Sequence, residues 1–254
     1  MKSIHSKPAP IRIGHAILSF SLLSWREPKK VASFTKAWLR FPLEHSASQV
    51  VSGTPDMSFA ELFPEYPLQE ECVSSRSLDR HMWNVRLDEE IYLGLIIKAI
   101  QARRIFEIGT FNGATTRHMA ETAGPDAQVF TLDLPEAEFD RTQTPDSFQG
   151  AGVGEKFRNS PVEQQITQLL GDSTHFDFSP YERSMDLVFV DAAHDYVHGV
   201  VDSRNALRLV RPGGVVVWHD FGWPGLAQAI REATIGYPLA RLSRTTLAVV
   251  RTIE

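Results

Sequence analysis

The chain has 254 residues, 43% of them apolar and 22% charged, with a formal net charge of −5. That length and composition suit one large α/β domain, or one domain with an added segment, built around a sizeable core. The acidic balance leaves no basic footprint for a nucleic-acid backbone. The single cysteine, Cys72, excludes an internal disulfide or a cysteine-based zinc cluster and suits a reducing compartment.

Residues 1–84 read as a helical accessory cap. "IGHAILSFSLLSW", Ile13 to Trp25, is apolar and flanked by basic residues, but it falls short of the roughly 20 residues that span a bilayer. It contains no small-x-small cleavage site and reads as an amphipathic segment that packs on the main domain or on a second subunit. A cytoplasmic chain that makes no membrane contact is expected, with a homodimer compatible with the apolar segment. "KKVASFTKAWLRF" is helical in pattern, "FPEYPL" is a Pro-rich turn, and nothing in this region alternates as a strand does.

From residue 85 to 254 the pattern becomes regular. "LDEEIYLGLIIKAIQA" predicts an amphipathic helix opened by acids. Next come strand "RIFEIG", helix "ATTRHMAETA", strand "QVFTLDL", a weaker strand "ITQLLGD" and a strong strand "MDLVFVD". Helix "VVDSRNALRLV" ends at "RPGG"; strand "VVVWHD" and helix "GLAQAIREAT" follow, and "LARLSRTTLAVVRTI" predicts a closing hairpin. Continuous apolar strands alternating with helices predict a mostly parallel sheet covered on both faces. Such sheets bind ligands at the carboxyl ends of their strands, so the chemistry is expected just after each strand.

The first strand runs into "FEIGTFNGATT", which spaces Glu107, Gly109 and Gly113 as E-x-G-x-x-x-G. The first glycine permits a tight turn, and the second lets backbone approach a ligand at a helix N-terminus. A dinucleotide pyrophosphate calls for G-x-G-x-x-G, and Phe111 breaks that spacing. Glu107 is badly placed for phosphate and well placed for an amine. The second strand ends at Asp133, which can accept ribose hydroxyls or cap the next turn. The third ends in "GDS", where Asp172 and Ser173 can meet an adenine amino group or close a turn. "GAGVGEKF", Gly150 to Phe157, has glycines but no preceding strand, and reads as part of a mobile loop over the substrate.

Taken together, these residues suit a ligand with an amine, a ribose and no phosphate, a description that S-adenosylmethionine (SAM) meets. Here the sequence resembles the class I SAM-dependent methyltransferases over roughly residues 85 to 254, with the glycine spacing common in small-molecule O-methyltransferases. The resemblance implies a Rossmann-like sheet and a methyl acceptor that is a small molecule, such as a phenol, sugar or secondary metabolite. It places Glu107, Gly109 and Gly113 at the methionine end, Asp133 at the ribose, and Asp172 with Ser173 at the adenine. Thr110, Phe111, Leu134 and Asp191 complete the lining.

"VDAAHDYVHG" after the fourth strand and "WHDF" after the fifth are similar to a bacterial family that includes macrocin O-methyltransferase, and more distantly to catechol and caffeoyl-coenzyme A O-methyltransferases. That resemblance puts Asp191 and Asp220 at divalent-metal positions. Phe221 stands where the catechol type has asparagine, and His219 where the macrocin type has glutamate. Magnesium needs only oxygen ligands and is the first ion expected; an Asp191–His219–Asp220 set also accepts manganese, iron or zinc. The residues alone leave Asp191 free to cap the following helix instead. His194 stands where catechol-type enzymes carry the proton-abstracting lysine, and His219 is the rival base. Two further readings stay open: a SAM fold that performs hydroxylation, cyclisation or hydrolysis, and a non-catalytic interaction module.

Overall fold

The computed structural model describes residues 53–66, 83–135 and 152–253. The apolar segment at Ile13–Trp25, the stretch "KKVASFTKAWLRF", Cys72 and most of the connection after Leu134 lie outside these residues.

Among the described residues, eight strands form one sheet in the order β1-β7-β8-β6-β5-β2-β3-β4. The central strands are β2 (Arg104–Ile108), β3 (Gln128–Asp133), β5 (Met185–Val190) and β6 (Val210–Trp218). These strands pair in parallel, with β4 (Ile166–Leu170) at the far edge. Parallel pairing needs crossovers: α3 (Ala114–Ala123) joins β2 to β3 and α4 (Tyr196–Leu209) joins β5 to β6, while α5 (Pro224–Ala233) follows β6. The closing hairpin forms as expected: β8 (Ala248–Arg251) runs antiparallel between β6 and β7 (Leu239–Leu242). The result is a Rossmann-like sheet with an antiparallel C-terminal part.

Because strand side chains alternate between faces, β2, β5 and β6 feed two cores. Ile105, Leu187 and Val215 join Leu93, Ile96, Ile97 and Met119 on one face. Phe106, Val188 and Val216 join Ala206, Leu209, Leu226 and Ile230 on the other. Burial on both faces is why these strands read as unbroken apolar runs.

Two features depart from expectation. Asp56–Met57 forms β1 and pairs in parallel with β7, extending a sheet edge in a region that showed no strand pattern. Ser58 then caps the one-turn helix α1 (Phe59–Leu62) through a reciprocal capping box with Glu61, and Phe59, Leu62 and Phe63 enter the first core. The second departure is helix α2 (Leu87–Ala99), which sinks two of its opening acids, Glu89 and Glu90, out of solvent. Asp88 takes the exposed role that a first-turn acid ordinarily has, paired with Arg86.

Candidate active site

The strand ends meet where β2 and β5 lie side by side. Gly109 has φ +102°, and a Cβ there would sit 2.0 Å from the Asp191 carbonyl oxygen. Only glycine lets the two strand ends approach this closely. Phe111 also takes a left-handed conformation, φ 46°, which costs a non-glycine residue free energy and marks a constrained turn.

Asp133 holds that turn. Its Oδ2 accepts from the backbone N–H groups of Thr110 (3.0 Å) and Phe111 (2.7 Å), and its Oδ1 from that of Leu134 (2.8 Å). Burial pushes this carboxyl above its ordinary range, against the three N–H bonds. Glu107 lies beneath the turn, not at its open face. Its Oε2 accepts from Thr116 and, at 2.6 Å, from Thr131, whose hydroxyl is joined to Thr110. Its Oε1 is buried without a hydrogen-bond partner. Burial raises this carboxyl to about 8, and the nearby Asp191 and Asp133 charges add to the effect.

The second glycine has a further reason besides the one expected. Gly113, φ +80°, starts α3, and a Cβ there would strike the Phe157 ring at 2.5 Å and the Gly154 backbone at 2.9 Å. The described part of the glycine-bearing loop therefore packs on the turn, with Gly154 N–H donating to the Phe111 carbonyl and Lys156 N–H to that of Asn112, each at 2.8 Å. Asp172 and Ser173 are engaged by neighbouring side chains and backbone. Asp172 accepts from the Thr174 N–H and hydroxyl and faces His175, and these bonds hold it down at about 2. Ser173 bonds Asp202, and its carbonyl accepts from Asn205.

Beyond β5 and β6 the chemistry is denser. Asp191, His219 and Asp220 each present a ligand atom, all within 4.8 Å of one another. Asp191 does not cap α4; Asp195 does, accepting from Val197 and His198 N–H and pairing with the His198 ring. Asp220, φ 55°, is bent back so that its Oδ2 lies 2.8 Å from His194 Nε2 and 3.3 Å from His219 Nδ1. Burial works against the charged form of Asp220, but the two histidines hold it well below the usual carboxylate range.

The two histidines differ in kind. The His219 ring is almost enclosed, with Nε2 3.1 Å from Glu89 Oε2 and Nδ1 3.2 Å from Asp191 Oδ1. Burial disfavours its cation, yet the Asp191 and Asp220 charges raise it well above the ordinary imidazole value. The His194 side chain is 40% exposed, and its bond to Asp220 outweighs burial and raises it too. Beside it stands the half-exposed ring of Trp223, 5.6 Å from centroid to centroid. Sequence reasoning missed Glu89 and Trp223.

The Asp191 charge raises the proton affinity of both Glu107 and Asp133, so the strand ends form a negative basin around a glycine turn. A ligand with a sulfonium and an ammonium suits that basin, and a phosphate does not. The donor set beside it also fits a divalent ion: His219 Nδ1 is buried, lies between two carboxylates, and is in hydrogen-bonding geometry with neither. A surround that draws a proton draws any cation.

Comparisons with known proteins agree. A methyltransferase-domain family model matches residues 106–221. Caffeoyl-CoA O-methyltransferase 2 of Populus trichocarpa is 27% identical over 176 residues, covering 66% of this chain and 67% of that protein. Catechol O-methyltransferase of Mycobacterium tuberculosis is 35% identical over 126 residues, covering 50% and 51%. In fold, the SAM-bound O-methyltransferase TomG of Streptomyces achromogenes superposes with a TM-score of 0.51 at 20% identity, over 76% of this chain and 95% of that one. The fold and the family match together define a class I SAM-dependent methyltransferase. The chain is an enzyme of the small-molecule O-methyltransferase type. No helix among the described residues is long and apolar enough to cross a membrane.

Proposed function

We propose that this enzyme methylates a hydroxyl oxygen of a small molecule, with His194 as the base and Asp191, His219 and Asp220 around a divalent ion. The observation that carries the reading is the sharing of Asp220 Oδ2 between His194 and His219. It sets a solvent-facing imidazole beside a closed, acid-rich cluster at the ends of adjacent strands.

SAM supplies an electrophilic methyl group on a sulfonium sulfur. The protein's part is to aim an oxygen at it and remove that oxygen's proton. Asp220 can only accept, so it holds His194 as the Nε2–H tautomer and leaves Nδ1 to take the proton. General-base help of this kind contributes about 10²–10⁴-fold. His219, enclosed by Glu89, Asp191 and Asp220, faces no acceptor and is assigned to the metal cluster instead. A divalent ion held there would lower the hydroxyl's pKa and fix its position. Asp133 keeps the Thr110–Phe111 turn in shape and offers its remaining lone pairs to the ribose hydroxyls. Glu107 supports the same turn from below, and its charge state responds to an ammonium bound above it.

Two relatives are named for caffeoyl-CoA and catechol, so catechols and caffeoyl esters form the first acceptor panel. The test is calorimetry with SAM and with its demethylated product, followed by transfer of a labelled methyl to the panel with Mg2+ or Mn2+. Label on a hydroxyl oxygen supports the reading. Label found only on nitrogen or carbon overturns the hydroxyl assignment, and no measurable affinity for either nucleoside overturns the whole.

A further inference from the structure

Glu89 is a carboxylate with no exposed surface, contributed by the first turn of α2, far in sequence from the Asp191–His219–Asp220 cluster. A buried carboxylate costs several kcal/mol unless its lone pairs are bound. Here they are. Oε1 accepts from the Thr246 N–H at 2.6 Å and the Thr246 hydroxyl at 2.9 Å, and Oε2 accepts from His219 Nε2 at 3.1 Å. Thr246 in turn bonds the backbone of Asp220 and Phe221, so Glu89 is tied into the loop that carries the candidate ligands.

This arrangement fixes the histidine's chemistry. An ionised carboxylate has no proton to donate, so His219 Nε2 must carry one. In the neutral ring the lone pair is then on Nδ1. That atom is buried, within 3.3 Å of carboxylate oxygens of both Asp191 and Asp220, and aligned for a hydrogen bond with neither. A lone pair facing two acceptor-only oxygens is repulsive, so the site draws a positive charge among the three, either a second ring proton or a metal ion that takes its place.

We propose that Glu89 is a positioning residue that holds His219 as the Nε2–H tautomer and so makes Nδ1 the third ligand of the Asp191–Asp220 metal site. The proposal rests on the metal reading above and deepens it. A carboxylate behind a ligating imidazole orients the ring and strengthens its donor nitrogen. The resulting nitrogen–oxygen–oxygen set takes manganese, iron or zinc in preference to magnesium, which favours oxygen alone. The histidine at position 219 thus comes with its own support, delivered by a helix outside the strand-end motifs.

Mn2+ tests the proposal directly, because nitrogen coordination leaves a 14N modulation in its electron spin echo. The full chain is loaded with Mn2+, and affinity is read by calorimetry in parallel. The wild-type protein is expected to show the modulation and His219→Gln to lose it. In Glu89→Gln the single amide oxygen is claimed by the Thr246 N–H, and the NH2 group turns to His219 Nε2. The imidazole proton is then forced onto Nδ1. Mn2+ affinity should fall about 10–100-fold with loss of the 14N signal, while SAM affinity stays within about twofold. Thr246→Val removes one hydroxyl contact to Glu89 but leaves the tautomer unchanged, so it should keep the signal even if it melts earlier. Mn2+ bound without 14N modulation in the wild type, or an unchanged signal and affinity in Glu89→Gln, overturns the proposal and leaves the metal reading standing. No Mn2+ binding at millimolar concentration overturns both.

Discussion

Gly109 and Asp191 meet backbone to backbone: a Cβ on Gly109 would lie 2.0 Å from the Asp191 carbonyl oxygen and 2.5 Å from its carbonyl carbon. Asp191 N–H donates to the Ile108 carbonyl at 2.9 Å, which fixes the two strand ends in register. The glycine turn and the Asp191–His219–Asp220 cluster are therefore one mechanical unit. Gly109→Ala adds both a backbone clash and an unfavourable φ, and should lower stability by about 2 kcal/mol or more. Because the clash displaces Asp191, the surviving folded protein should lose affinity for Mn2+ as well as for SAM. Thermal melts and two calorimetric titrations check this; a variant that loses SAM affinity alone would separate the two sites.

Glu107 gives a pH dependence with a definite sign. Its folded value, about 8, lies above the ordinary 4.5 of the unfolded chain. Between those values the folded state holds a proton that the unfolded state has released, so stability falls as pH rises, by up to about 1.4 kcal/mol per pH unit. The contribution is fully present below about pH 4.5 and is lost as pH passes 8. Glu107→Gln removes this slope, so urea midpoints of variant and wild type should diverge in the variant's favour from pH 5 to pH 8. Parallel curves would show that the carboxyl is not buried in its neutral form.

Much of this site was legible in the sequence because it lies at strand ends. The runs that became β2, β5 and β6 are covered on both faces, so they read as continuous apolar stretches, and Asp191 and Asp220 follow two of them directly. Asp172 also follows a strand, but there the acid closes its own turn with Thr174; position alone does not distinguish the two outcomes. β1 is two residues long and carries too little pattern to recognise. Glu89 stands 130 positions from His219 and resembles any first-turn acid that complements a helix dipole. One signal was available. Leu93, Ile96 and Ile97 follow it at i+4, i+7 and i+8, which puts Glu89 on the buried face of α2.

His194 is the side chain whose loss should affect chemistry most and binding least. Its Nε2 is bound to Asp220 at 2.8 Å and its ring is open to the solvent side. His194→Gln should reduce kcat by about 10²–10⁴-fold, with little change in the SAM dissociation constant. Single-turnover kinetics on an acceptor from the panel separates these quantities. An equal loss in SAM affinity would mean that the ring contacts the cofactor.

Trp223 stands on the other side of the proposed base. Its backbone N–H closes a turn onto the Asp220 carbonyl at 3.0 Å, and its ring meets that of His194 at 5.6 Å and 44°. A tryptophan left 53% exposed beside the proposed base offers a flat apolar face to whatever oxygen-bearing molecule reaches that base. Aromatic contacts contribute about 0.5–1.5 kcal/mol beyond the area they bury, so Trp223→Ala should raise KM for a planar acceptor roughly 2- to 12-fold. The smaller effect expected on a non-aromatic alcohol, and none on SAM, makes the comparison informative. If KM for planar and non-planar acceptors rises alike, Trp223 shapes the entrance without recognising a ring.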